Sequence, residues 1–300
     1  MAAALTTQVC KLIQYTDNDQ NSKPVSRLFV EHLTNLDFSY INDQGVLTGE
    51  SWAVDLEIQG ELNREGMLLD FGDVKKSIKA DAESLWDHKL VVPLHRPGLS
   101  LDGQTLTWSD DKGQTYKHKG PDISLYSVES AKFDKELLER HLESWLIEKW
   151  KCPQIQDISI SFRTESIPDG QFQYSHGLKH HKGACQRIAH GHRSKVLAYS
   201  QNGLNQSATA TLAEHLTNAY FVDESNIIGQ TETSIELQYT APEGDFYIQI
   251  PRSQAVIMQT ETTIENIALY LLNYSRNTIC TDICKIRVYE GWQKGAIAAL

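Results

Sequence analysis

The sequence predicts an α+β protein built from two similar units, each an antiparallel sheet carrying helices on one face. Three observations lead there. "GESWAVDLEIQGEL" alternates, with Trp52, Val54, Leu56 and Ile58 on one face and Ala53, Asp55, Glu57 and Gln59 on the other, the pattern of a half-buried strand. "SAKFDKELLERHLESWLIEKW" collects Phe133, Leu137, Leu138, Leu142, Trp145 and Leu146 into one stripe, with Ser130 placed as a cap, which predicts an amphipathic helix. The order of elements then recurs: two strands, a helix, an inserted hairpin, a helix and a strand, once in each half. The boundary falls in "SIPDGQ", giving units 1–168 and 169–300 with no low-complexity linker between them.

The remaining elements follow in chain order. "RLFVEHLTNLDFSYIND" reads as a strand, and "NDQG" supplies turn residues before the alternating one. "GMLLDFGDVKKSIKADAESLWDHKL" has helical spacing, and "LDGQTLTWSDDKGQTYKHKG" reads as a hairpin with "DDKG" at its tip. "DISISFRTE" closes the first unit as a strand. In the second, "GQFQYSHGL" and "GHRSKVLAYSQ" read as strands, and "SATATLAEHLTNAYF" as a helix. "TSIELQYTAPEGDFYIQIP" reads as a hairpin turning at "APEGD", "TTIENIALYLLNYSRN" as a helix and "CKIRVYEGW" as the closing strand.

Bulk properties narrow the function. At 300 residues and 40% hydrophobic content the chain can bury a core in one large or two modest domains. A net charge of -11 argues against nucleic acid or an anionic membrane surface as the main partner, while a local basic pocket stays open. No run of about 18 apolar residues exists, so no spanning helix is expected. The first twenty residues lack a basic segment followed by an apolar one, so no signal peptide is expected either. Five cysteines, Cys10, Cys152, Cys185, Cys280 and Cys284, are an odd number, which suits a reducing cytoplasm better than a disulfide framework. Cys280 and Cys284 lack a second pair and read as buried thiols.

The chemistry concentrates in "GACQRIAHGHRSK". Of 11 histidines, six lie between residues 176 and 215. On a strand, residues two apart share a face, so His190 and His192 aim at one point. His176, on the preceding strand, supplies a third imidazole, and three imidazoles from adjacent strands can hold Zn2+ with one position open. Cys185 is open to two readings: a fourth structural ligand or a small core residue. Without a ligand, H-x-H is simply a polar strand face, and His180 and His181 read as a solvated loop.

The combination "FQYSH", Cys185 and "HGH" resembles the F-x-x-x-H, C, H-G-H signature of the 6-pyruvoyl-tetrahydropterin synthase and 6-carboxytetrahydropterin synthase family, whose fold is the tunnelling fold, or T-fold. "GMLLDFGDVK" is similar to that family's helix start, "WDHKL" to its L-D-H-x-x-L, "TTIENIA" to its P-T-x-E-N-L-A and "RVYEGW" to its last strand. The resemblance covers nearly the whole chain as two tandem copies. The first is degenerate: Thr48, Gly49 and Glu50 stand at the H-G-H positions, and the first metal histidine is matched to Asn42. The second lacks the D-F-x-x-L-K element, and its counterpart of Asp-His is at best Glu214-His215.

The resemblance implies a Zn2+-dependent lyase acting on 7,8-dihydroneopterin triphosphate, with His176, His190 and His192 on the metal. Its product would be 6-carboxytetrahydropterin, on the queuosine route, or 6-pyruvoyl-tetrahydropterin. Cys185 would move a proton, and either Asp87 with His88 or Glu214 with His215 would be its partner. Family sites form at subunit contacts, which implies a homo-oligomer whose sheets close into a barrel. Glu290 matches the family's pterin anchor, with Gly291 in place of the family's threonine; Glu165 is the first half's weaker counterpart. Thr262 and Thr263 would bind the ring, or only cap the helix that follows. Lys179, Lys182, Arg187, Arg193 and Lys195 form the local basic cluster that a triphosphate requires. The alternative is a non-catalytic pterin- or purine-binding protein that keeps its Zn2+ site.

Overall fold

A computed structural model describes residues 25–150 and 153–300 of the chain, so readings that concern the first 24 residues, Cys10 or Cys152 lie outside the described residues. The chain divides into two compact units, each drawn from separated segments. One comprises the residues up to Leu36, Trp52–Leu85 and Asp134–Thr164; the other comprises Asp37–Ser51, Trp86–Phe133 and Glu165–Leu300.

In the first unit, the strand Leu47–Glu61 pairs antiparallel with Ile155–Arg163, Ala53 opposite Arg163 and Leu56 opposite Ile160. The alternation has its expected effect. Trp52, Val54, Leu56 and Ile58 are buried beside Phe162, Ile160 and Ile158, while Asp55 on the other face pairs with Arg163. The helix Lys135–Trp150 buries Leu138, Leu142, Leu146 and Trp150. Its exposed end of the stripe differs from expectation, because Leu137 and Trp145 are only half-buried. Asp134, not Ser130, caps it, accepting from Leu137 N at 3.1 Å. Ser130 lies too far upstream and closes a local turn with Lys132 instead. Glu139 and Glu143 on this helix accept the Phe162 and Ile160 amides at 2.7 and 2.8 Å, so a strand edge that would otherwise show free donors is covered.

Two sheets lie wholly in the second unit. In the first, the strands run in the order Ala255–Met258, Ala219–Asp223, Gln171–His176, His190–Ser200, Lys285–Tyr289 and Gly295–Ala299. Helices Gln206–His215 and Ile264–Tyr274 pack on it through Leu212, Ile267, Leu271 and Phe221. The pairing is mixed: Ala219–Asp223 runs parallel to both of its neighbours. The expected helix over "SATATLAEHLTNAYF" therefore stops at His215; Asn218 takes φ 54° and turns the chain into the strand. The second sheet joins both predicted hairpins, Thr105–Ser109 with Thr115–Lys119 and Ser234–Ala241 with Gly244–Pro251, by pairing Ile248 with His118. Leu106, Trp108, Tyr116, Ile235, Phe246 and Ile248 fill the core beneath. Cys280 and Cys284 are half-buried rather than buried. Among the described residues, no helix is long and apolar enough to cross a membrane.

Candidate metal and active site

All the groups described here belong to the second unit. Antiparallel pairing of Gln171–His176 with His190–Ser200 sets His176 opposite His190 and Tyr174 opposite His192. The three imidazoles are fully buried, at 0, 0 and 1% exposure. Each has its Nδ1 turned to an oxygen. His176 Nδ1 lies 3.0 Å from Thr262 O, His190 Nδ1 lies 2.9 Å from Arg187 O, and His192 Nδ1 lies 3.3 Å from Asp37 Oδ1. The three Nε2 atoms are buried without a hydrogen-bond partner, and the ligand atoms of the three residues lie within 4.8 Å of one another. Burial, reinforced by the neighbouring imidazoles, holds His176 and His190 well below the ordinary histidine range. His176 and His190, which donate from Nδ1 to carbonyls, present a lone pair at Nε2, and with the His192 ring beside them the orphaned Nε2 atoms that converge in a dry site fit a metal ion.

Gly191 is required between the two strand histidines for a reason beyond clearance of one face. A Cβ there would lie 2.5 Å from Tyr174 O, 2.7 Å from Gly49 Cα and 2.7 Å from Ser39 Oγ. Gly49 is equally confined: a Cβ there would lie 2.0 Å from Tyr174 O and 2.4 Å from His192 N. Ser39 Oγ meets Ser175 Oγ at 2.7 Å. These paired glycines and serines place Tyr40, Thr48 and Glu50 where the other strand pair has His176, His190 and His192. The position equivalent to His176 is therefore Tyr40, one residue after the paired serine, and not Asn42. Asn42 instead accepts from Gln44 N and Val46 N in a tight turn. Tyr40 stacks on Phe133 at 4.0 Å, and Thr48 is bonded to Asn42 at 3.0 Å, so this location holds a packed aromatic pair in place of imidazoles.

The Asp87–His88 pair reaches the metal histidines and the thiol. His88 follows the helix Phe71–Trp86 with φ 55°, and its Nδ1 meets Asp87 Oδ2 at 2.7 Å. The turn is held by His88 N to Asp37 O at 2.7 Å and by Asp37 N to Asp87 Oδ1 at 2.8 Å. The His88 ring stands 5.1 Å from the His190 ring. His88, Cys185 and His190 bring their ligand atoms within 4.8 Å of one another. Burial works against the His88 cation, but the hydrogen bonds and charges of Asp87 and Cys185 outweigh it and push its pKa up to about 10.

His215 stands elsewhere. It is exposed on its helix, and its ring stacks on Tyr274 at 4.5 Å; the residue that repeats the left-handed turn of His88 is Asn218. The expectation that Glu214-His215 could serve Cys185 is thus corrected. A helical residue before the turn faces outward, whereas the left-handed one faces the strand ends. Thr262 braces His176 through both its carbonyl and its Oγ1, at 3.0 and 3.2 Å. Thr263 caps the helix Ile264–Tyr274 through Asn266 N. Glu290 is half-buried just past the strand Lys285–Tyr289, and its charge acts on the Tyr174 hydroxyl and on Lys294.

The basic cluster is mostly paired. Arg187, 7% exposed, holds Glu243 through two bonds at 2.8 and 3.1 Å and donates to Asp87 O at 3.1 Å. Lys195 pairs with Glu165, and Arg193 donates to Gln171 at 2.6 Å. Lys179 and Lys182 stay on the loop, half-buried and exposed. Sequence reasoning missed Asp37 and Lys294, whose Nζ lies 3.3 Å from Asp37 Oδ2. Only an acid between the apolar Leu36 and Phe38, in "NLDFSY", marked Asp37; nothing marked Lys294.

The sequence profile described as 6-pyruvoyl tetrahydropterin synthase matches residues 31–101 and 168–299, more than half of the chain. Among solved structures, the chain is similar to the Plasmodium vivax 6-pyruvoyl tetrahydropterin synthase at 18% identity and a TM-score of 0.41, over 49% of this chain and 94% of that one. It is similar to the Plasmodium falciparum protein of the same name at 19% identity and a TM-score of 0.39, over 46% and 90%. No curated protein matches the chain.

Proposed function

The chain belongs to the 6-pyruvoyl tetrahydropterin synthase family, and from that premise we propose that it is a Zn2+-dependent pterin-forming lyase. Pterin-synthase-like chemistry is the family's; the substrate, the metal and the product are our reading. The substrate would be 7,8-dihydroneopterin triphosphate, and the product 6-carboxytetrahydropterin, on the queuosine route, or 6-pyruvoyl-tetrahydropterin. One observation carries the reading: three buried Nε2 atoms converge beside a thiol and an Asp-His pair.

His176, His190 and His192 would hold the Zn2+. When bound, it supplies Lewis acidity to the side-chain hydroxyls of the substrate. The protein's own groups divide the proton work. Asp87 fixes the His88 tautomer, so Nε2 faces Cys185. With its pKa raised by Asp87, His88 would be the acid of the pair, and Cys185, its proton passed to His88, would be the base at the substrate carbon. Glu290 would accept adjacent ring N–H groups of the pterin. Thr262 acts through His176, and Thr263 keeps the helix start in place. Residues 1–168 and 169–300 would be tandem copies, supported by the matching Ser39–Ser175 and Gly49–Gly191 contacts. The protein would act in the cytoplasm as a homo-oligomer, with no nucleic-acid or membrane partner.

A second reading has its own support. Arg187, Arg193 and Lys195 are already paired within the protein, which leaves few cations for a triphosphate and favours a pterin-binding protein that retains its metal. Zn2+ content and turnover of 7,8-dihydroneopterin triphosphate test both, on wild type, His190→Ala and Cys185→Ser. One Zn2+ per chain, lost in His190→Ala and kept in Cys185→Ser, with turnover lost in both, supports the lyase. Bound Zn2+ and pterin binding without turnover supports the binding protein. Loss of Zn2+ and of the fold in Cys185→Ser would make the thiol a structural ligand.

A further inference from the structure

We propose that Cys185 and His88 form a second divalent-cation site, distinct from the three-histidine centre, which takes a thiophilic ion such as Zn2+ or Cd2+ and thereby blocks the thiol. The proposal goes beyond the lyase reading and holds whether or not the chain turns over a pterin.

The geometry gives each atom one role. His88 Nδ1 is engaged by Asp87 Oδ2 at 2.7 Å, so Nε2 is its remaining ligand atom. A carboxylate behind an imidazole is the arrangement that orients metal-binding histidines and strengthens them as donors. Cys185 is half-buried and free of any disulfide, and its sulfur lies within 4.8 Å of ligand nitrogens of both His88 and His190. A thiolate beside an imidazole selects soft and borderline ions.

His190 sets the relation between the two centres. Its Nδ1 is engaged with Arg187 O at 2.9 Å, so it offers a single nitrogen, and that nitrogen is claimed both by His176 with His192 and by Cys185 with His88. With the three-histidine centre loaded, a second ion is held by Cys185 Sγ and His88 Nε2, with water completing its shell. Such an ion displaces the proton that the Cys185–His88 pair needs for acid–base work. The site therefore predicts inhibition by excess metal at the two residues, with the first ion undisturbed.

Cadmium titration of the full chain tests this, with stoichiometry from equilibrium dialysis and the thiolate-to-cadmium charge-transfer band in the ultraviolet. Wild type should bind two Cd2+ per chain and show the band. Cys185→Ser and His88→Ala should each bind one and lose the band, the retained ion also showing that the variant is folded. Asp87→Asn should keep the first ion and bind the second about 10- to 100-fold more weakly. A single Cd2+ in wild type overturns the proposal. So does a band that persists in Cys185→Ser, which would place the thiolate at one of the other four cysteines, Cys10, Cys152, Cys280 or Cys284, or one that persists at full affinity in His88→Ala.

Discussion

Asp37 Oδ1 lies 3.3 Å from His192 Nδ1, which makes His192 the one member of the three-histidine centre that faces a carboxylate instead of a carbonyl. Asp37 is 2% exposed. Burial alone would raise its pKa, but the charges and hydrogen bonds of His192, Lys294 and Ser51 outweigh that and hold it below the ordinary carboxylate range. A carboxylate in this position raises the basicity of the imidazole and fixes the ring. Asp37→Asn keeps the shape and removes the charge. It should weaken Zn2+ binding about 10- to 100-fold, read by competition with a chromogenic chelator. Lys294→Met, removing a half-exposed ammonium from the same carboxylate, should change it by at most about 1 kcal/mol. Equal affinity in Asp37→Asn and wild type would show that the contact does not tune the metal.

The contact between Gly49 and Gly191 makes a steric prediction. A methyl at 191 must displace the Tyr174 carbonyl and the Gly49 backbone, at 2.5 and 2.7 Å, and neither can swing away as a side chain would. Gly191→Ala should cost about 1–3 kcal/mol in urea unfolding and lower Zn2+ content, since residue 191 spaces His190 from His192. Gly72→Ala, at an exposed position in the first turn of its helix with only Asp70 Oδ1 near the new Cβ, at 3.1 Å, should lose nothing and serves as the control, with a gain of up to about 1 kcal/mol.

Glu50 gives the protein a pH dependence of predictable sign. Burial is the main cause that pushes its carboxyl up to about 7; Asp37 adds to it, and Ser51 N and Arg193 oppose it. A raised acid binds its proton more tightly in the folded state. Its contribution is therefore fully present below the unfolded value of about 4.5 and is lost as pH rises toward about 7. The loss is of order 3–4 kcal/mol at about 1.4 kcal/mol per pH unit. Glu50→Gln removes it. Urea midpoints of wild type and Glu50→Gln should diverge between pH 5 and pH 8, the variant gaining relative to wild type. Parallel curves would mean that Glu50 titrates normally in the folded protein.

What could be read in the sequence was local. The alternation at Trp52–Ile58, the hairpin turns and the His190–Gly191–His192 spacing each express a backbone period or a turn rule, so strands and imidazoles came out where expected. The family signature added Asp87 and His88, which are distant in sequence from Cys185 but share its site. What escaped depends on pairings between remote segments. Asp37 meets His192 only because two strands from different halves come together in one unit. Tyr40 was passed over for Asn42 because the register is set by the Ser39–Ser175 contact. The helix over 206–215 seemed to continue because nothing local announces that Asn218 adopts φ 54°. Arg187 looked like a phosphate ligand, since no sequence rule pairs it with Glu243.

That pairing makes the last prediction. Arg187 is buried, with side-chain exposure of 8% against 25% for Glu243, and its guanidinium joins three segments: the Cys185 loop, the hairpin tip at Glu243 and the turn before His88 through Asp87 O. Removing one member of a largely buried pair strands the other charge. Arg187→Met should cost about 2–4 kcal/mol in urea unfolding, and adding Glu243→Gln should restore part of it. Arg187→Lys retains the charge but cannot span two carboxylate oxygens and a carbonyl, so it should recover less than half. The backbone carbonyl of Arg187, which holds His190, is untouched by these changes. Zn2+ content should therefore survive in the folded Arg187→Lys protein, while any activity that needs His88 beside Cys185 falls. Wild-type stability in Arg187→Met would reduce the three-way junction to a surface ion pair.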